Sequence, residues 1–577
     1  MRFVRLLELS VFLASTSLVL GGLSLAAPSC GGDGESTGGS GAGGEGATGP
    51  GGMGGAPGTG GAGGEAPTID ACEVLGLPAL AFDSQGPFGT LRNERADDFS
   101  VPLLSGETWT LSERWSGCES YVFMTSARTN SGLDDTSIWA RDIDQLIARS
   151  PKNAHYLFVA NRDAAIAQQE QQDMQGRIDT ALATLSQEDR EWWQAHLHVV
   201  AAHASEVEGW VGTVLAGLGR PGFAIDRAQN IRTVGLFADV TRFSAALNTA
   251  GEWPWESNMA YASYEVRHYN YEAEREARLA AETDVTIVTP WDGEVLAEEV
   301  ETDVTFPSAT EMAAFDHFEI DLTMQCPDPQ AGEFGNCGAW DYLVHIYLQD
   351  EDQMGWTELG RFISTYHRQG RYVVDATAAL PLLAAGGQRH LRYSISPPWN
   401  PQAYLTKMDF RLSNRGKGYR PTSTVPLFTG GDFNSLYNDA YVPIDVPIPA
   451  TATHVELWAV ITGHGGATNN CAEFCDHQHQ FDIDGMTYLR TQESVGQQQG
   501  CIAEVDHGMV PNQGGTWWYG RGGWCPGQQV EPWVVDVTAD VTPGATATIS
   551  YQGLFNGGAI PDDSGNIVMN SYLVIYE

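Results

Sequence analysis

The chain has 577 residues, with 31 Lys and Arg against 73 Asp and Glu, a formal net charge of -42 at pH 7, and nine cysteines. Its acidic residues are dispersed and no Lys/Arg cluster occurs, so a nucleic-acid or anionic-membrane partner would meet repulsion instead of the usual basic attraction. The acidity reads as solubility outside the cell.

Arg2 and Arg5 precede an apolar run from Leu6 to Ala27 thinned by Ser and Gly, then Pro28-Ser29-Cys30. Charge, apolar stretch and small-residue site make residues 1–30 a secretory signal. The run is also about long enough to span a bilayer, but the small residues before Cys30 favour cleavage. Cys30 at that point resembles the lipid-bearing cysteine of bacterial lipoproteins, which would make membrane contact a matter of a lipid anchor. From Gly31 to Pro67 the chain is almost entirely Gly, Ala, Ser, Thr, Pro and Glu, a tether with nothing to bury. The remaining residues suffice for about three domains.

Residues 70–280 mix both structural periods. Tyr121-Val122-Phe123-Met124 and His155-Tyr156-Leu157-Phe158-Val159 are short apolar runs typical of buried strands, and Ile138 to Ala148 between them has helical spacing, which predicts a βαβ unit. Ser186 before Gln187-Glu188-Asp189 predicts an N-cap, followed by Trp192, Trp193, His196 and Val199 at helical intervals. The run from Asp98 to Leu111, followed by a strand, resembles thioredoxin-like domains, yet no Cys-x-x-Cys pair is present and Cys118 reads as disulfide-bonded. This α/β domain receives no functional assignment.

Tyr271 to Glu282 is rich in Glu and Arg and reads as a solvated helix or connector. Beyond it the period becomes two. Phe318, Ile320, Leu322 and Met324 alternate with Glu319, Asp321 and Thr323, a half-buried strand. Trp340, Tyr342, Val344, Ile346 and Leu348 alternate likewise, with Asp341, Leu343, His345 and Tyr347 opposite. Many short strands without long helices predict all-β sandwiches or jelly rolls, one over 300–446 and one over 447–577, with Pro447-Ile448-Pro449 as the junction.

If Cys30 carries lipid, eight cysteines remain, an even set that suits an exported, oxidised chain. Sequence proximity suggests Cys72-Cys118, Cys326-Cys337, Cys471-Cys475 and Cys501-Cys525, although sequence alone allows other pairings. Three clusters then stand out: Cys326-Pro327-Asp328 leading through Cys337 to Trp340-Asp341; the small ring Cys471-Ala472-Glu473-Phe474-Cys475; and Cys501 leading to Arg521-Gly522-Gly523-Trp524-Cys525. Together with Glu358-Leu359-Gly360-Arg361-Phe362-Ile363, they resemble the peptide-N-glycosidase F family of amidases over about Val304 to Glu577.

The resemblance implies two consecutive jelly rolls with the site at their interface and the same three disulfides in this region. It further implies catalytic carboxylates at Asp341 and Glu473, and glycan-contacting positions at Trp340, Trp399, Arg521 and Trp524. The expected substrate is an N-linked glycoprotein or glycopeptide, the expected cofactor none, and the expected state a monomer. Amide hydrolysis needs a positioned water, a proton acceptor, an oxyanion donor and a proton for the leaving nitrogen, and two carboxylates in different environments divide such work. Two positions depart from the family pattern: Tyr393-Ser394-Ile395-Ser396-Pro397-Pro398-Trp399 lacks a further active-site Glu, and Tyr342 replaces the Arg that follows the catalytic Asp.

His464, His477 and His479 crowd the same ring, and the His-x-His spacing places two imidazoles on one face of a strand. This resembles the copper sites of peptidylglycine-type monooxygenases, with Met486 or Met509 as the thioether. Copper oxidation is therefore one alternative to the amidase expectation. A non-catalytic, glycan-binding lipoprotein is another, motivated by the missing carboxylate.

Overall fold

Buried strand-forming runs organise three regions. The computed structural model describes residues 71–127, 137–218, 221–239, 257–466 and 470–577; the signal sequence, Cys30 and the Gly-rich tether lie outside the described residues.

The first region is an α/β domain. Its sheet contains β1 (Ser120–Thr125), β2 (Ala154–Ala160), β3 (Leu197–His203), β4 (Gly222–Ile225) and β5 (Ile231–Thr233), in the order β3-β2-β1-β4-β5. The first three strands are parallel, and β4 and β5 are antiparallel additions. Helix α1 (Ile143–Arg149) supplies the crossover that the sequence predicts. Helices α2 (Ala167–Leu182) and α3 (Gln187–His196) come next, and the Ser186 side chain caps α3 by accepting from Asp189 N.

Helix α4 (Ala262–Ala281) contains the stretch expected as a solvated helix or connector. From Tyr271 onward only Arg275 and Leu279 are buried, whereas its first half, with Glu265 and His268, is buried, because it wedges between the α/β domain and the strands that begin at Thr286. Arg278 pairs with Glu319 at 2.8 Å, and Arg275 donates to the Arg371 carbonyl at 2.7 Å. This cover also explains why Glu319 and Asp321, on the polar face of their strand, are buried and ion-paired.

Residues 286–413 form a β-sandwich of β6 (Thr286–Leu296), β7 (Glu299–Ser308), β8 (His317–Gln325), β9 (Leu343–Gln349), β10 (Trp356–Ile363), β11 (Gly370–Asp375), β12 (Gly386–Ser394) and β13 (Tyr404–Ser413). The two sheets run β11-β8-β13-β6 and β10-β9-β12-β7. A second sandwich comprises β14 (Pro421–Phe433), β15 (Ile444–Pro447), β16 (His454–His464), β17 (His477–Ile483), β18 (Met486–Arg490), β19 (Trp533–Asp536), β20 (Thr546–Phe555) and β21 (Gly565–Tyr576). Its sheets run β14-β21-β16-β19 and β15-β20-β17-β18. In both sandwiches the first and last strands pair and, apart from the β9–β10 and β17–β18 hairpins, the chain alternates between sheets, the winding of a jelly roll.

The passage between sandwiches differs from the expected one at Pro447. It lies in Asn414-Arg415-Gly416-Lys417-Gly418, where Gly416 and Gly418 take positive φ, while Pro447 ends β15 and Pro449 opens a turn closed by Ala452 N. Phe318, Ile320, Leu322 and Met324 are core residues, as their alternation predicts, and so are Val344, Ile346 and Leu348. The β9 ladder begins only at Leu343, however. Trp340, Asp341 and Tyr342 therefore precede it in a loop, free of the strand's facing rule.

The sandwiches are joined by a buried polar knot. Glu358 on β10 accepts from Arg361 Nε at 2.9 Å and from Arg361 Nη2 at 2.7 Å, and its Oε1 lies 2.6 Å from His345 Nδ1. Arg361 reaches across to Thr462 Oγ1 at 2.9 Å and the Val568 carbonyl at 2.7 Å. All four disulfides suggested by sequence proximity form, Cys72-Cys118, Cys326-Cys337, Cys471-Cys475 and Cys501-Cys525, which points to an oxidising compartment. Among the described residues no helix is long and apolar enough to cross a membrane.

Candidate active site

Four loops meet where the sandwiches abut. The β8–β9 loop, closed by Cys326-Cys337, delivers Trp340 and Asp341. The β10–β11 loop delivers Tyr366. The β16–β17 loop carries the Cys471-Cys475 ring, in which Cys471–Phe474 form one helical turn that presents Glu473. The long connection from β18 to β19, pinned by Cys501-Cys525, carries Thr516 and Arg521.

Arg521 is the hub. Its Nη1 lies 3.0 Å from Asp341 Oδ2 and 3.1 Å from Glu473 Oε1, so one nitrogen bridges carboxylates from two sandwiches. Its Nη2 donates to the Thr516 carbonyl at 3.2 Å, Thr516 Oγ1 at 3.0 Å and the Tyr366 hydroxyl at 3.3 Å. The guanidinium carbon stands 4.7 Å from the Trp524 ring centre and 5.4 Å from that of Phe474. Arg521 is 1% exposed, and such desolvation strengthens each of these charge-assisted bonds.

The carboxylates differ in their surroundings. Burial pushes the Asp341 carboxyl above its ordinary value; Arg521, the Tyr366 hydroxyl and a backbone N–H oppose that shift. Glu473 is pushed up by burial and by the negative charge of Asp341, against Arg521 and the Gly465 backbone. Burial also raises the Tyr366 phenol well above the usual range, so it remains a hydrogen donor at neutral pH. The second Glu473 oxygen accepts from Asn470 Nδ2 at 3.3 Å. The ring is held from behind by Gly522 N donating to the Glu473 carbonyl at 2.7 Å and Ala472 N to the Ser564 carbonyl at 2.6 Å. A Cβ at Gly522 would collide with the Ala472 carbonyl and the His477 ring, so this backbone approach requires glycine.

Asp341, Glu473 and Arg521 therefore converge, whereas the tryptophans separate into two groups. Trp399 is 77% exposed and Trp340 49%, and the Trp399 ring meets Tyr342 edge-on at 6.0 Å. Both suit stacking on an incoming ring. Trp524, expected beside them, is buried: its indole N–H donates to the Gly463 carbonyl at 2.9 Å, and Arg521 and His464 lie against its ring. It supports Arg521 and offers no open face. Ser396, where a further carboxylate was sought, is buried and accepts from Gln402 N at 2.9 Å. Tyr342 is tied through its hydroxyl to Asn400 Nδ2 at 2.7 Å. Sequence reasoning missed Tyr366 and Thr516; no motif marks either.

The three histidines do not gather as a copper site. His477 Nδ1 lies 2.9 Å from His479 Nε2, and His479 Nδ1 lies 2.7 Å from the Tyr551 hydroxyl. These nitrogens face one another in a hydrogen-bonded chain. His464 stacks on Trp524, with Nε2 2.9 Å from Thr462 Oγ1. Burial lowers the His464 imidazole to about 3 and that of His477 to about 4. Met486 is exposed at a hairpin end opposite Ile483, and Met509 is buried against the α/β domain. Among the described residues, the His, Cys, Asp and Glu groups whose ligand atoms cluster tightly lie elsewhere, at Glu119, His155 and His196.

Residues 432–574 match the family model described as peptide-N-glycosidase F, C terminal. The chain is 24% identical over 277 residues to the peptide-N(4)-(N-acetyl-beta-D-glucosaminyl)asparagine amidase F of Elizabethkingia miricola, covering 45% of this chain and 73% of the relative. Among solved structures, it is similar to a glycosylasparaginase, PNGase F, from Flavobacterium meningosepticum. That match has 18% identity and a TM-score of 0.40, and covers 51% of this chain and 96% of the other.

Proposed function

Because the C-terminal part of this chain belongs to the peptide-N-glycosidase F family, we propose that the protein is an amidase that hydrolyses the bond between asparagine and N-acetylglucosamine in N-linked glycoproteins. The observation that carries this reading is the bridge from Arg521 to both Asp341 and Glu473. Asp341, partly desolvated and facing the Tyr366 hydroxyl, orients the attacking water and accepts its proton. Arg521 keeps enough of that carboxyl ionised to act as a base, and its fixed charge opposes the repulsion between the two acids. Glu473 orients the linkage by hydrogen bonds. Trp340 and Trp399 supply apolar faces for sugar rings or the peptide beside them.

The order β2-β1-β4-β5, with a parallel pair followed by an antiparallel pair and helix α4, supports a thioredoxin-like reading of the α/β domain, without redox chemistry. We place the protein outside the cell, anchored through lipid on Cys30. Labelled palmitate that failed to enter the wild type would remove the anchor.

Incubation with a model N-glycopeptide in oxygen-18 water, followed by mass spectrometry, tests the activity. Cleavage converts Asn to Asp with one solvent oxygen incorporated. Glycan binding by the folded wild type without that conversion would replace the amidase reading by a lectin-like one, consistent with Ser396.

A further inference from the structure

Far along the chain from the Arg521 hub, the N-terminal ends of β1, β2 and β3 bring together a second group of side chains. Glu119 immediately precedes β1, His155 is the second residue of β2, and His196 ends α3, just before β3. All three are buried. Glu119 Oε1 lies 2.7 Å from His196 Nε2, and Glu119 Oε2 lies 3.3 Å from His155 Nε2. One ligand atom from each residue lies within 4.8 Å of the other two.

Proton accounting makes this cluster unusual. His196 Nδ1 is 2.6 Å from the Trp192 carbonyl. A carbonyl only accepts, so that nitrogen carries the hydrogen and neutral His196 turns a lone pair toward Glu119. His155 Nδ1 lies 3.3 Å from His198 Nε2. In the tautomer in which His155 Nδ1 donates there, neutral His155 also turns an Nε2 lone pair toward Glu119. Two imidazole lone pairs and a carboxylate then converge in a buried space with no hydrogen among them. Either extra protons fill the gap or a cation does.

We propose that Glu119, His155 and His196 bind a divalent transition-metal ion, with zinc the fitting one for two imidazoles and a carboxylate, a set of three protein ligands that leaves the fourth position to water. The Trp192 carbonyl, which fixes the His196 tautomer, and His198 are its positioning partners, in the way outer-shell groups orient metal-bound imidazoles. The ion ties together the starts of β1 and β2 and the end of α3, close to Cys118 and its disulfide to Cys72. This site is independent of the glycoamidase reading.

The test uses the mature chain, purified without a polyhistidine tag or chelator. Elemental analysis is expected to give one zinc per chain. The chelator-stripped protein should take up one equivalent of Zn2+, or of Co2+ with visible d–d absorption. H196A and E119Q lose that equivalent, H198A weakens it about 10–100-fold, and H390A, at an exposed histidine flanked by Asp303 and Glu301, keeps it. In case the ligand variants fail to fold, nitrogen-15 spectra of the wild type titrated with Zn2+ read the site directly: the Nε2 signals of His155 and His196 move. A folded wild type that takes up no Zn2+ or Co2+ overturns the proposal, leaving a protonated His-Glu-His cluster. Movement confined to His464, His477 or His479 overturns it equally.

Discussion

Replacing Arg521 by Met tests the electrostatics of the candidate site. The side chain is almost wholly buried, and one of its nitrogens lies 3.0 Å from Asp341 and 3.1 Å from Glu473. In surroundings of effective dielectric constant ~20, a pair of unit charges 4 Å apart attract by about 4 kcal/mol. Desolvation of the partners offsets part of that, and opposite charges at this range typically shift a carboxyl by about 1–3 pH units. Burial already pushes both carboxyls above their ordinary value, and Arg521 is the charge that opposes it. Its removal therefore raises them further, and their mutual repulsion then acts unopposed. As the proposed base Asp341 must be ionised, so the acid limb of kcat/KM for glycopeptide cleavage should move to higher pH by about 1–3 units. On the wild-type acid limb that shift alone should lower kcat/KM by about 10–1,000-fold, tenfold for each unit. Arg521→Lys restores charge without the planar fork that reaches Thr516 and Tyr366, so it should recover the position of the limb and only part of the rate. A Met variant with an unmoved acid limb and kcat/KM within a few-fold of wild type would refute the assignment of Arg521.

Asp341→Asn should abolish release while leaving thermal stability at pH 7 no lower than wild type. A carboxyl whose folded value is raised binds more protons in the native than the unfolded state just above the ordinary carboxylate range, so its ionisation costs stability as pH rises; a marked fall in Tm would contradict this. Trp399→Ala and Trp340→Ala should raise KM with Tm unchanged, since both rings are largely exposed; calorimetry alongside kinetics separates the two effects. Glu358→Gln acts on the knot between the sandwiches. Burial opposes the Glu358 charge, but Arg361 and His345 hold its carboxyl well below the ordinary range. Its stabilisation is present above the unfolded carboxylate value and lost as pH falls through the folded one. The variant should lose about 3–5 kcal/mol at pH 7 and show a flatter decline in acid, and an unchanged denaturant midpoint would sink that reading.

The part of the site legible in the sequence was the part written locally. Asp341 follows the Cys326-Cys337 loop and Glu473 sits inside a five-residue ring, so a disulfide framework marked each. Arg521 was marked by the Gly-Gly-Trp-Cys that follows it. What distinguishes Trp399 from Trp524 was not local: both are tryptophans near Pro or Gly, and only the Cys501-Cys525 loop, turned inward under Arg521, decides that one is buried. The His477-x-His479 pair does share a face, as strand alternation requires, but its imidazoles bond to each other and His479 bonds to Tyr551 of the neighbouring β20. Glu119, His155 and His196 come from three separate elements, and only the parallel pairing of β1, β2 and β3 brings them into one cluster.

The α/β domain received no function from its sequence, yet it forms part of the wall behind Arg521. Trp517 and Trp518, immediately after Thr516, share a buried cluster with Trp139, Tyr261 and Tyr264 of that domain. Arg368, in the loop that carries Tyr366, pairs with Glu265 on α4 at 2.7 Å and with Glu333 at 2.9 Å, and donates to the Thr233 carbonyl at 3.0 Å. Asn512 donates to the Tyr261 carbonyl and to Glu265. A chain beginning at Asp284 would expose both tryptophans, each losing on the order of 1.5–3 kcal/mol of burial, and would take from Arg368 its partner at Glu265. The loops holding Thr516, Arg521 and Tyr366 should then loosen together. Such a chain should release glycan at least tenfold more slowly than the full protein while its sandwiches still show strand-rich circular dichroism. Full activity and an unchanged Tm in the shortened chain would mean that the loops hold themselves, and that the α/β domain serves only what it binds.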